Sequence, residues 1–286
     1  MRAEVIAILS AMGWAGDAVL VRLGARTSNI YAAAFLSYSV STFCLWTYLF
    51  IYFPFHQIWS GATAYFLLSG CLQPLVARIL YYIGLIRLGA FRAGPLRGSS
   101  PLFAVILAII FLKERPNAYV YGGTALIVAS VWLISWRRSG EGEWKLFDII
   151  FPLSAAFVGA VSQNLRKAGL LILPDPYFGA AVSTTTSLIL FIIFLLAVGK
   201  IHLLLPGRKS LPFFGCAAFV SAFAQILNYA ALNMGEVSVM VPLLDTTPLF
   251  TVLFSAVFLR GQEKVTAGVV LGAMVMVAGA IVITRR

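Results

Sequence analysis

The stretch GPLRGSSPLFAVILAIIFL at residues 94–112 returns as VPLLDTTPLFTVLFSAVFL at residues 241–259, an offset of 147 residues. Pro95, Pro101, Phe103, Phe111 and Leu112 each meet the same residue type in Pro242, Pro248, Phe250, Phe258 and Leu259. Upstream at that offset, Ile79, Leu80 and Tyr82 meet Ile226, Leu227 and Tyr229, and after a slip of three residues Leu9-Ser10-Ala11 and Arg22 meet Leu153-Ser154-Ala155 and Arg166. A match spread over most of each half marks an internal duplication, so whatever one half folds into, the other must also approximate.

The medium follows from composition. Hydrophobic residues make up 61% of the chain and charged residues 11%, against about 25% charged in soluble domains. Apolar runs of roughly 19 to 24 residues, long enough to cross about 30 Å of hydrocarbon, recur near residues 5–23, 31–53, 63–86, 90–112, 118–136, 148–170, 177–198, 211–233, 237–259 and 265–284. The expected fold is therefore an all-α membrane protein of ten transmembrane helices, five in residues 1–145 and five in residues 146–286. A unit that crosses an odd number of times starts its second copy on the opposite face, so the two five-helix repeats are expected to be inverted. In inverted repeats the working site lies near mid-membrane, and rocking of one bundle against another opens it to alternate sides.

A net charge of +11 would suggest nucleic acid in a soluble protein. Here most Lys and Arg stand at span ends, as in Arg137-Arg138, Arg208-Lys209 and Arg285-Arg286, and read as anchors at the lipid surface; no nucleic-acid partner is expected. Basic residues number 7 on the side of the termini and 12 on the other, which by the positive-inside rule favours external termini. Cys44, Cys71 and Cys216 lie in apolar spans without metal or disulfide spacing and read as small core residues. The first span carries Asp17 and lacks a small-x-small cleavage site, so it is read as a retained helix.

A charge in hydrocarbon costs at least about 2.5 to 3.5 kcal/mol, so it needs a partner, water or a task. Asp17, Arg78, Arg97 and Asp245 all fall deep in spans. Arg78 and Arg97 flank the turn near residue 88, each about ten residues or about 15 Å from it. Gln73, Gln163, Asn164, Gln225 and Asn228 gather at a similar depth. Helical spacing puts Arg78, Tyr81 and Tyr82 on one face of the third span and Gln225, Asn228 and Tyr229 on the equivalent face of the eighth. Two arginines and two aspartates can simply neutralise one another. The surrounding uncharged polar residues favour a hydrated binding chamber instead. There the arginines would clamp a carboxylate or phosphate through the guanidinium fork, and Asp17 or Asp245 would carry a proton or hold a substrate amine.

The prolines sharpen this reading. Pro95 and Pro101, and their counterparts Pro242 and Pro248, remove backbone donors and are expected to bend or break the fourth and ninth spans. Asp245 stands where the first repeat has Gly98, so the duplication has become asymmetric at the expected site. His56 and His202 sit near span ends, and no phosphate loop, nucleophile elbow or metal-binding His pair is present in the sequence. Neither enzyme activity nor a metal or other cofactor is expected.

Each half carries a PLF-containing span, a short charged turn and a last span rich in Gly and Ala. The turns read Leu112-Lys113-Glu114-Arg115 and Leu259-Arg260-Gly261-Gln262-Glu263, and the last spans read GGTALIVASVWLIS from Gly122 and LGAMVMVAGAIVI from Leu271. This pattern resembles the drug/metabolite transporter superfamily, EamA-like branch. The second turn departs from it by two extra residues. The resemblance implies a ten-helix inverted-repeat carrier of a bacterial-type inner membrane that exports or exchanges amino acids, related metabolites or drugs without ATP. It also implies cytoplasmic termini, against the basic-residue count. The leading expectation is a secondary-active transporter of a small carboxylate- or phosphate-bearing solute, an amino acid above all, working as a monomer in the lipid bilayer and coupled to protons. The competing expectations are a drug or lipid-headgroup exporter and a membrane-embedded transferase or accessory subunit.

Overall fold

The computed structural model describes residues 2–52, 60–88, 90–135, 146–258 and 267–285. The turn at residues 260–263, and the side chains of Tyr82 and Pro95, lie outside the described residues. Every described element is helical. In chain order these are α1 (Ala3–Gly24), α2 (Ile30–Tyr52), α3 (Ala62–Gly70), α4 (Ala77–Leu88), α5 (Ala90–Arg97), α6 (Ser100–Phe111), α7 (Ala118–Ser135), α8 (Ile150–Ile172), α9 (Pro176–Ala197), α10 (Leu211–Met234), α11 (Val237–Leu244), α12 (Thr247–Phe258) and α13 (Ala267–Thr284). Among the described residues, seven helical stretches are long and apolar enough to cross a membrane: Ala3–Gly24, Ile30–Tyr52, Ala62–Leu88, Phe147–Ile172, Pro176–Ala197, Leu211–Met234 and Val237–Phe258. Ser100–Phe111, Ala118–Leu133 and Val270–Thr284 are shorter apolar helices.

Helices are the form such a chain must take, because hydrocarbon offers no partner for a free backbone group. Where helices begin, side chains take up the first N–H groups. Asp175 accepts from Phe178 N–H at 2.9 Å ahead of α9, Asn29 from Ala32 at 2.9 Å in α2, and Asn117 from Val120 at 3.1 Å in α7. Gly199, with φ +69, turns the chain after α9. Between α3 and α4, Gln73 leaves the helix with φ −130 and ψ 128. The cause is the next residue in the sequence, Pro74, since a proline drives the residue before it into the extended region.

The chain forms two compact units, each drawn from both halves of the sequence. Residues 1–71 and 165–234 make one, and residues 72–164 and 235–286 make the other. In unit 1, α1 runs along α10. Gly13 admits Ala224 so closely that a Cβ on the glycine would lie 2.8 Å from that of Ala224, and Ser10 Oγ donates to the Ala224 carbonyl at 2.8 Å. Small residues at such a seam let helices meet where water cannot drive them together. α2 packs on α9 and α10, with Trp46 Nε1–H donating to Thr185 Oγ1 at 2.8 Å. α3 packs on α9, where Ser187 Oγ donates to the Gly70 carbonyl at 3.0 Å.

In unit 2, α7 and α13 form the closest pair. A Cβ on Gly123 would lie 2.7 Å from the Gly279 carbonyl, and one on Gly279 would lie 2.9 Å from the Gly123 carbonyl. α11 packs on α6, and α4 on α5. Arg87 Nη1 pairs with Asp148 Oδ1 at 3.0 Å and covers the Phe151 ring at 4.7 Å.

Large apolar side chains such as Phe43, Ile86, Phe111 and Phe219 stand exposed, as expected of a surface made for lipid. Cys216 is also exposed, so it faces outward rather than serving as core. At one end of unit 1, Tyr48 stacks on Tyr177 at 4.3 Å and meets Tyr52 at 4.9 Å, in keeping with a headgroup-level aromatic belt.

Candidate functional site

Two interrupted helical segments define the site in unit 2. α5 ends at Arg97 and α6 starts at Ser100; α11 ends at Leu244 and α12 starts at Thr247. Pro101 and Pro248 each occupy the second position of the later helix, where a proline has no hydrogen bond to lose. Pro242 lies inside α11. The carbonyl that Pro248 cannot serve is that of Leu244, and Thr247 Oγ1 donates to it at 2.9 Å. Thr246 Oγ1 donates to the Leu243 carbonyl at 2.7 Å, and Ser99 Oγ to that of Leu96 at 2.6 Å. Hydroxyls beside the breaks thus supply donors to carbonyls at the helix ends.

Each break carries a charge of opposite sign. Arg97 is the last residue of α5 and Asp245 the first residue after α11. They lie within direct electrostatic reach of one another, and Tyr81 of α4 acts on Arg97 as well. Arg97, Asp245 and Tyr81 remain half-buried, so the pair is set among protein atoms yet is not sealed. From α8, Gly159 faces the guanidinium. Asn164, also on α8, is buried and donates from Nδ2 to the Ala104 carbonyl of α6 at 3.2 Å and to the Ala160 carbonyl at 3.0 Å. Gln163 beside it is buried too. α11 itself is held at its start by Glu114, whose carboxylate accepts from Val237 N–H at 2.8 Å and Ser238 N–H at 2.9 Å. Lys113, with φ 56, turns the chain immediately before that glutamate. The remaining residues of the third-span face divide: Arg78 is exposed, and Tyr81 is drawn inward.

The expected counterpart face belongs to unit 1 and is built differently. Tyr229 is fully buried; its hydroxyl donates to Ser183 Oγ at 2.7 Å and lies 3.4 Å from Ser69 Oγ. Its ring packs against Phe66 at 6.0 Å, and the Arg166 guanidinium lies over it at 5.1 Å. Arg166 Nη1 also donates to Asn228 Oδ1 at 3.4 Å, and Lys167 Nζ to the Leu232 carbonyl at 2.8 Å. Gln225 and Asp17, in the same unit, are half-buried. Arg166 and Lys167 are folded into helix packing, with Arg166 buried. Their charges signal nothing of this in sequence, because both stand only a few residues before Pro174 and Asp175.

Sequence reasoning also misses Gly159 and Glu114. A glycine among alanines has no chemistry to announce, and the Glu114 cap joins residues 123 and 124 positions apart. Chemically, unit 2 offers a guanidinium fork, a carboxylate and a phenol around half-open helix ends. That set suits binding of a small charged solute and exchange of a proton. Among the described residues, no three His, Cys, Asp or Glu side chains group as a metal site would require.

The sequence pattern of the EamA-like transporter family matches residues 1–136 and again 146–285. No curated protein matches the chain in sequence. A protein of known crystal structure superposes with a TM-score of 0.79 over 100% of this chain and 98% of its own, at 13% identity, a likeness of fold alone. With the family pattern occupying nearly the full length twice, in a chain of apolar helices interrupted at matching prolines, the protein is an integral membrane protein that belongs to the EamA-like transporter family, whose members are transporters rather than enzymes.

Proposed function

We propose that the protein is a secondary-active carrier, an exporter or exchanger, for a small organic solute bearing a carboxylate or phosphate, with an amino acid as the best candidate. The shorter apolar helices complete ten crossings in this reading. Residues 1–145 and 146–286 act as inverted five-helix repeats, and transport proceeds by alternating access in a bacterial-type inner membrane, by a monomer.

The observation that supports the reading is the placement of Arg97 and Asp245 at the two helix breaks, within electrostatic reach of one another. Arg97 binds the solute anion through its planar fork. Asp245 is its resident counter-ion, and an arriving carboxylate competes for the same guanidinium, releasing Asp245 to take a proton or to hold the substrate ammonium. Tyr81 borders the pair, and Arg78 supplies a second cation on the same helix.

The test begins with thermal stabilisation of the purified protein against amino acids, phosphorylated metabolites, polyamines and drugs, followed by counterflow of the best hit in proteoliposomes. A carboxylate or phosphate hit whose counterflow disappears in Arg97→Ala supports the proposal. A hit confined to apolar cations, or full counterflow in Arg97→Ala, overturns it in favour of a drug exporter.

A further inference from the structure

We infer that Gly159 is the positioning residue for Arg97: the absence of a side chain at this place on α8 is what seats the guanidinium. The inference rests on the reading of Arg97 as the anion-binding group. A Cβ at position 159 would lie 2.9 Å from Arg97 Nη2, 3.4 Å from Cζ and 3.5 Å from Nη1. All three nearest atoms belong to the guanidinium, so the Nη end of Arg97 lies where a side chain at position 159 would stand. The neighbours Ala155, Ala156 and Ala160 are fully buried and do carry a Cβ. Position 159 is therefore a gap beside three buried methyl groups, and glycine is a poor helix former there compared with alanine.

A guanidinium is weakly hydrated on its faces and donates from its edges. The approach of its Nη end to Gly159 sets where those donors stand relative to Asp245 and to an incoming anion. Because the obstructing atoms are the far end of a flexible side chain, an added methyl displaces them without breaking the helix. The fold should tolerate Gly159→Ala, while the site should not. Misplacement of a binding group by about 1 Å can cost up to about a hundredfold in rate, so a displaced Arg97 is expected to weaken transport about tenfold.

The experiment reads Arg97 itself and requires no substrate. Purified wild-type protein and Gly159→Ala are treated with phenylglyoxal, and modification at Arg97 is followed by peptide mass spectrometry, with the exposed Arg26 as internal control. Gly122→Ala serves as the matched variant, because nothing lies within 4 Å of a Cβ there. Faster labelling of Arg97 in Gly159→Ala only, with Arg26 and the melting temperature unchanged, supports the inference. Labelling equal to or slower than wild type overturns it. Should Gly159→Ala fail to fold, Arg97→Lys/Gly159→Ala decides: a folded double variant traces the fault to the guanidinium, and a misfolded one overturns the inference. If labelling shifts while counterflow persists, the seat stands and the anion-clamp function falls. If counterflow falls while labelling is unchanged, the reverse holds.

Discussion

Unit 1 and unit 2 each set an arginine among packed helices, and they treat it in opposite ways. Arg166 lies over an aromatic ring, bonded to an amide, in a cluster whose tyrosine is closed off completely. Arg97 sits at a broken helix, half-accessible, with an aspartate opposite and a bare glycine beneath it. The lesson is that polarity inside the bilayer does not identify a site. What separates the two is whether the arginine is buried within continuous helices or half-exposed at an interrupted backbone.

That contrast can be broken by four substitutions, taken from the largest expected effect downward. Arg97→Ala is predicted to lower counterflow by about a hundredfold, the equivalent of a lost charge-assisted contact of about 3 kcal/mol, while melting close to wild type. Asp245→Asn is predicted to flatten the dependence of flux on pH, measured from 5.5 to 8.5 (about the range open to proteoliposomes); a preserved profile would remove Asp245 as the coupling acid. Glu114→Ala removes two charge-assisted caps from α11 and is predicted to cost about 1 to 2 kcal/mol of stability and to raise KM several-fold, with Glu114→Gln in between. Tyr229→Phe should cost only about 1 kcal/mol, a melting temperature lower by about 2–4 °C, and leave KM untouched. If Tyr229→Phe instead abolished transport in a stable protein, the distinction between a sealed cluster and a working site would fail.

Much of this is legible in the amino-acid sequence, and for definite reasons. Hydrocarbon permits few backbone forms, so apolar runs declare helices, and a proline's missing donor marks where a helix must be reorganised. Depth in a span singles out Asp17, Arg78, Arg97 and Asp245 because charge there is expensive, but it does not tell that Arg97 and Asp245 stand together while Arg78 is exposed. The compact units are not legible: the sequence halves are set by duplication, whereas unit 1 and unit 2 each take helices from both. For Arg166 the sequence offers only a distance to a loop, which says nothing of the neighbours that fold over it. Gly159 acts through an atom it lacks, and no periodicity reports that. The Glu114 cap depends on tertiary proximity that neither Lys113-Glu114-Arg115 nor Val237-Ser238 expresses alone.

The shortness of α11 has a consequence for the site. Its eight residues form a rod about 12 Å long, gripped at one end by a loop carboxylate and terminating at the other in Asp245. A rod of about two turns places the residue that fixes its start and the acid at its end within one short rigid piece, so the Glu114 cap also bears on where Asp245 stands.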